Sequence, residues 1–310
     1  LLKAAILLKL KNNVDAMKVS QEIFSKQPGH FDNAVFLSSL YQSEKDYDNS
    51  IKVLNASIKQ NADSPLLKHM LASNYLIAGK NELAEQTYIA ILENEPELFI
   101  NHMKLAMFYR EIGNIDKAEY ILRKAIEADE EDSKRKLVLI EFIQQVKGNQ
   151  NAINELNALI SSNPDMGELR IVLGKLYTTE NKLDDSERVF KSAVTDFSED
   201  SIGIRSRVYL ARLYMRKKNI DAAVSVIDDA LKISPNDSEV SFVKAKLQLV
   251  NKDYEGAIIS LRTVIKDDQQ NINAYLLLSA AHKANGEEKQ ASEIVVRAYE
   301  NNRTNASGLM

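Results

Sequence analysis

The sequence has no cysteine and no tryptophan. Without thiols there are no disulfides, no thiolate nucleophile and no Cys-ligated zinc. That absence suits a cytoplasm and a periplasm equally. Histidine is scarce too, and none of the four stands at metal-ligand spacing such as H-x-x-x-H. No glycine-rich stretch could cradle a phosphate, and no serine sits in a recognisable nucleophile setting. The chain therefore reads as a non-enzyme, with no catalytic residue, metal or cofactor. Lys and Arg number 40 against 44 Asp and Glu, for a net charge of −4. A dedicated nucleic-acid binder would carry a basic excess, so nucleic acid is not the expected partner. No apolar run approaches the ~18 to 20 residues of a membrane span. The opening Leu1–Leu10 is apolar but holds Lys3 and Lys9, and reads as a helix rather than a trimmed signal segment. Ten glycines and five prolines in 310 residues leave few helix breaks. Strand-like alternation is hard to find, and the expectation is an all-α protein.

What the chain does have is a period. Leu71-Ala72-x-x-Tyr75, Gly79 and Ala84 return as Leu105-Ala106-x-x-Tyr109, Gly113 and Ala118, each 34 positions later. A fixed period of this size means stacked supersecondary units. With Tyr75 at position 11, the whole chain, 1–310, divides into nine repeats: 1–30, 31–64, 65–98, 99–132, 133–166, 167–203, 204–237, 238–271 and 272–305. The register slips by three residues within 198–203. This is the one candidate kink, and a longer loop between repeats is the preferred reading of it.

Within a repeat the apolar spacing is helical. Leu105, Phe108, Tyr109 and Ile112 follow the i, i+3, i+4, i+7 rule, as does a second stripe through Ala118, Ile121, Leu122 and Ala125. Gly113-Asn114 separates the two. Acidic residues such as Glu82, Asp116 and Asp221 open the second helices, where the helix dipole favours them. Pro96, Pro164 and Pro235 stand where those helices must stop. Small residues recur at position 8 (Ala72, Ala106, Gly174, Ala211, Ala245) and position 20 (Ala84, Ala118, Ala152, Ala223, Ala257, Ala291). They let the paired helices approach closely, while larger residues at positions 7, 11 and 24 fill the space between hairpins.

This pattern resembles the tetratricopeptide repeat across essentially the whole chain: the small residues, Tyr at 11, aromatic or Leu at 24 and Pro at 32 are all represented. The family's Trp at position 4 is absent, with Ala34, Lys68, His102 and Tyr275 in its place. The resemblance implies an all-α, right-handed superhelical α-solenoid whose first helices line a concave groove. It also implies that positions 2, 5, 9, 12 and 13 face that groove. These are Lys175, Arg205, Arg212, Arg216 and Lys246 in repeats six to eight, with Arg110 and Lys283 on either side. Glu111, Glu141, Glu168 and Glu239 are fewer. Apolar groove positions include Leu66, Leu76, Met103, Met107, Met215, Phe242 and Leu249. Such a face suits an acidic extended peptide or an amphipathic helix. Position 9 reads Ser39, Ser73, Met107, Glu141, Lys175 and Arg212, so the family's Asn-based carboxylate clamp is missing.

The expected function is thus a non-enzymatic protein–protein interaction scaffold that binds a partner segment in its groove. The alternative is the repeat segment of a larger protein, either an envelope protein of a polysaccharide-export or secretion assembly or a multidomain enzyme. Exposed ends motivate it: Leu1, Ile6 and Leu7 have no preceding helix, and Val295, Val296 and Tyr299 no following one. Of the histidines, His102 and His282 are expected in the core, His69 on the groove and His30 in a linker. Asn55, Asn302 and Asn305 begin N-x-S/T sequons, and Asp129–Asp132 is expected to be a solvated linker that neutralises Lys134-Arg135-Lys136. Oligomeric state leaves no mark on the sequence. The helix-contact reading makes one prediction. Ala118→Leu should overpack position 20 and destabilise the protein by ~1 to 3 kcal/mol, measured as a lowered midpoint of thermal unfolding.

Overall fold

The computed structural model describes residues 1–306, with side chains described through residue 301. The fold is all-α. Its helices form consecutive hairpins: α1 (Leu2–Lys9) with α2 (Asn13–Lys26), α3 (Phe31–Ser43) with α4 (Tyr47–Ile58), α5 (Pro65–Ile77) with α6 (Asn81–Asn94), and α7 (Phe99–Glu111) with α8 (Ile115–Ala128). Next along the chain come α9 (Ser133–Lys147) and α10 (Asn149–Ser162), and then the hairpins of α11 (Gly167–Thr179) with α12 (Leu183–Asp196) and α13 (Ser201–Arg216) with α14 (Ile220–Ile233). It closes with α15 (Ser238–Val250) and α16 (Tyr254–Asp267), then α17 (Ile272–Ala284) and α18 (Glu288–Ala306). Two compact units result, residues 1–146 and the described residues from 147 onward. In the second, the first helices α11, α13 and α15 pack directly on one another as well as on their partners, making a close-packed layer.

Apart from the α9–α10 turn, where Lys147 stays helical and Gly148 is both the positive-φ residue and the N-cap, the hairpins turn in the same way. The residue at position 15 has a positive φ: Gly79 at 72°, Gly113 at 78° and Gly286 at 82°, but Lys45, Lys218 and Lys252 at 59–61°. The next N–H then reaches back to the carbonyl at position 11, as from Lys80 to Tyr75, Asn114 to Tyr109 and Asn219 to Tyr214, each at 2.8 Å. This satisfies a carbonyl left over at the end of the first helix. The same residue is the N-cap of the second helix. Asn114, Asn219 and Asp253 accept there from the backbone N–H three residues on, which supplies a partner to an orphan donor. Every second helix after the first hairpin therefore starts at position 17, from Tyr47 to Glu288.

The paired helices meet at the small residues. Ala72, Ala84, Ala118, Ala152, Ala211, Ala223, Ala245 and Ala257 are all at 0 % exposure. Successive hairpins are tied by polar contacts. The Tyr109 hydroxyl and Lys117 both donate to Glu85, at 2.7 and 2.8 Å. Tyr214 donates to Glu187 at 3.1 Å, joined there by Lys191 and Lys217 at 2.7 Å. Lys191 and Lys217 hold the Glu187 carboxyl down at about 2.

Two places depart from expectation. The three residues gained in the register slip lengthen α13, which begins at Ser201 rather than Ile204 and runs for 16 residues. Its first turn is capped by Asp200, whose carboxylate accepts from Ile202 and Gly203. A Cβ on Gly203 would lie 1.7 Å from the Phe197 carbonyl oxygen, so the added turn fits only against a bare backbone. The 129–132 segment is the other. Arg135 and Lys136 are not solvated counter-charges but are 6 % and 2 % exposed. Arg135 donates to the carbonyls of Ala125 and Glu97 at 2.7 and 3.0 Å and pairs with Asp132 at 3.4 Å. Lys136 bonds the Glu130 carbonyl. Arg135 thus gives a partner to a carbonyl in the last turn of α8, and the two cations also hold carbonyls of the linkers before α7 and α9. Among the sequons, Asn55 donates to the Tyr75 hydroxyl at 3.3 Å, while Asn302 and Asn305 lie outside the residues whose side chains are described.

Two predictions follow from the backbone. Lysine pays a steric cost at positive φ that glycine does not, so Lys218→Gly and Lys252→Gly should each stabilise the protein by about 0.5 to 1 kcal/mol, seen in denaturant titration. Gly203→Ala should instead cost about 1 to 3 kcal/mol, because the clash is with a backbone carbonyl that cannot rotate away.

Candidate functional site

The residues singled out by repeat position fall in both units. In the second, the site is built from the core outward. Gly174 occupies position 8, where repeats three, four, seven and eight have alanine, and a Cβ there would lie 2.5 Å from the Phe190 ring. Phe190, 1 % exposed, fills that space. Tyr209 stacks on Phe190 with centroids 5.5 Å apart and planes at 10°. The Tyr209 ring in turn carries two cations, Lys175 Nζ at 5.7 Å and the Arg212 guanidinium carbon at 5.5 Å. On α15, Lys246 Nζ lies 4.5 Å from the centre of the Phe242 ring. Lys175, Arg212 and Lys246 all stand at position 9 of successive first helices, which is why they come together.

The charges in this cluster are unequally compensated. Arg212 pairs with Glu239 at 3.0 Å, both partly exposed. Lys246 is partly buried and, among the described residues, makes no ion pair. Burial, and after it the positive charge of Arg212, pulls the Lys246 pKa below that of an ordinary lysine. Arg205 and Lys175 are exposed. Arg216 is engaged elsewhere: it donates to the Thr178 carbonyl at 2.8 Å and to Asn181 Oδ1 at 3.0 Å, at the end of α11. What the surface can do is hold anions, with aromatic rings that keep the cations oriented while leaving their free N–H groups outward.

In the first unit, Met103, Met107 and Arg110 line a cleft of about 170 Å³ together with Val138, Glu141, Phe142 and Gln145. Met107 is 48 % exposed. Arg110 donates to Gln145 Oε1 at 3.3 Å, and Gln145 to Glu141 at 3.1 Å, so a polar rim crosses from α7 to α9 over an apolar floor. The histidines are structural. His102 and His282 are 4 % and 3 % exposed. His69 bonds Asn101 at 3.1 Å, and His30 caps α3. No group of acidic or histidine side chains among the described residues could hold a metal.

Repeat position alone does not reach Tyr209, because position 6 is not a groove position. The readable signal is its spacing: Arg205, Tyr209, Arg212 and Arg216 share one helical face. Gly174 and Phe190 are also missed, since each looks like an ordinary core residue. Phe142 and Val138 are legible only once α7 and α9 are seen side by side.

Three stretches match models of the tetratricopeptide repeat: residues 32–64, 101–132 and 209–272. The last contains Tyr209, Arg212, Glu239, Phe242 and Lys246. Among characterised proteins, the DnaJ protein P58IPK homolog of Arabidopsis thaliana is 28 % identical over 148 residues, 44 % of this chain and 31 % of that one. Lipopolysaccharide assembly protein B of Escherichia coli K12 is 21 % identical over 261 residues, 79 % of this chain and 65 % of that one. This chain thus spans less than two thirds of either relative. The solved structure of pilF from Pseudomonas aeruginosa shares the fold, with a TM-score of 0.50 and 18 % identity over 64 % of this chain and 89 % of that one. On its hairpins, their register and these matches, the chain carries tetratricopeptide repeats, helical hairpins of the kind that defines that family.

Proposed function

We propose that this scaffold acts without catalysis and captures an acidic, extended segment of a partner protein on the face formed by α11, α13 and α15. The observation that carries the reading is Lys246. A lysine that is partly buried, has an arginine beside it and lacks a carboxylate is electrostatically unfavourable in the free protein. Such arrangements concentrate at functional sites, where a ligand supplies the missing charge. A carboxylate laid across Arg212 and Lys246 would relieve their repulsion, and Lys175 and Arg205 would meet further acidic side chains. In the first unit, the cleft of Met103, Met107 and Phe142 suits an apolar side chain, because Met is deformable and polarizable.

The direct test is fluorescence anisotropy of a short labelled poly-glutamate peptide against the whole chain. The peptide should bind, and binding should weaken with salt as exposed charges are screened. Arg212→Gln and Lys246→Gln should each weaken it by roughly two- to fivefold. Poly-lysine should not bind. Equal binding of poly-lysine, or single-stranded RNA binding that displaces the glutamate peptide, would overturn the reading. The pH dependence has a definite sign. Lys246 binds an anion only when protonated, and its pKa is depressed. Affinity should therefore fall on the alkaline side before an ordinary lysine would titrate, and Lys246→Arg should remove that early loss because arginine stays charged.

A second reading has one observation in its favour, the similarity over 79 % of this chain to lipopolysaccharide assembly protein B. On that reading the chain is the repeat segment of a larger envelope protein, and the acidic segment belongs to another member of its assembly. Capture from separated envelope and soluble fractions distinguishes the two, and partners recovered from the soluble fraction alone would count against it.

A further inference from the structure

Among the described residues, Glu239 brings a carboxylate to the cation cluster through its pair with Arg212, and this pair differs in setting from those at Glu187. At Glu187, whose carboxylate is 19 % exposed, the pair with Lys191 lies within α12 and the pair with Lys217 joins α12 to the next hairpin. Glu239 and Arg212 are 44 % and 40 % exposed, and their 3.0 Å contact links the two first helices that carry the cations. On α15, Glu239, Phe242 and Lys246 are spaced i, i+3, i+7 and share one face. The Glu239 carboxylate therefore sits on the cation surface where a ligand carboxylate would sit. Among the described residues it pairs with Arg212 alone, and Lys246 makes no ion pair.

We propose that Glu239 is a built-in competitor: its carboxylate occupies Arg212 in the free protein and is displaced when a partner's acidic segment docks. This rests on the reading of the α11–α13–α15 face as an acidic-segment site and names what sets its selectivity. A ligand with one carboxylate gains little at Arg212, since it replaces a contact already made. A ligand with several gains at Lys246, Lys175 and Arg205 while releasing Glu239 to solvent. The site thus favours segments with several spaced Asp or Glu over an isolated carboxylate. Glu239 also lies in the first turn of α15, where the helix dipole favours its charge with or without Arg212, so its release leaves the helix intact.

The test is the affinity of the whole chain for the labelled poly-glutamate peptide, measured for wild type, Glu239→Gln and a control, Glu255→Gln. Glu255 lies in the first turn of α16 and makes no ion pair among the described residues. Its substitution changes net charge equally without touching Arg212. Glu239→Gln should bind the peptide several-fold more tightly than wild type, and Glu255→Gln should match wild type. In an Arg212→Gln background, Glu239→Gln should have no effect, which a general change in charge would not produce. Acetate should compete poorly with the peptide on wild type. If wild type binds and Glu239→Gln binds no tighter, the competitor role is overturned while the acidic-segment reading stands. If neither protein binds the peptide, both fall. If only Glu239→Gln binds, the competitor is confirmed and is strong enough to close the site.

Discussion

All hairpin turns but the one between α9 and α10 depend on a residue at position 15 held at positive φ. That conformation points the following N–H back at the carbonyl at position 11. It also places the residue that carries this N–H as N-cap of the second helix. One backbone arrangement thus ends one helix, starts the next and sets the angle between them. Where the side chain is lysine rather than glycine, the conformation persists against a steric preference, so the neighbouring contacts must be strong enough to impose it. Those contacts are the alanines at positions 8 and 20, all buried and most with no exposed surface. Close packing at these points makes any added carbon costly.

Stacking such hairpins gives position 9 its significance. One residue from each first helix is brought to the same height on the same face, so three unremarkable cations in sequence become a cluster in space. The cluster stands on a column that begins in the core, where Gly174 admits Phe190, Phe190 supports Tyr209, and Tyr209 orients Lys175 and Arg212. The arrangement is rigid at its base and wet at its tip. Orientation is settled before a partner arrives, which lowers the entropy cost of binding.

Several charges elsewhere in the protein are compensated. Glu85 and Glu187 each accept from a tyrosine and from lysine, Arg135 holds a carbonyl in the last turn of α8, and Lys136 holds a linker carbonyl. Against that background, a half-buried lysine with an arginine neighbour and no carboxylate stands apart. Local inconsistency within an otherwise consistent fold is where function is expected.

Much of the fold was legible in the sequence because it is local and repeated. Period, small-residue positions, turn glycines and caps all lie within 34 residues of one another, and the helix starts follow them. The extended α13 was not legible, since the fit of Gly203 against the Phe197 carbonyl depends on where α12 ends in space. Repeat position named Lys175, Arg212 and Lys246, but not which of them is compensated. Sequence alone determined the hairpin, its register and the chemical character of each face, because those follow from residue type and spacing. Only the tertiary structure decided that Arg216 caps a helix end, that Glu239 lies on Arg212 and that Lys246 has no anion. Those outcomes depend on ångström-scale distances between different helices, to which a charge is sensitive and a repeat pattern is not.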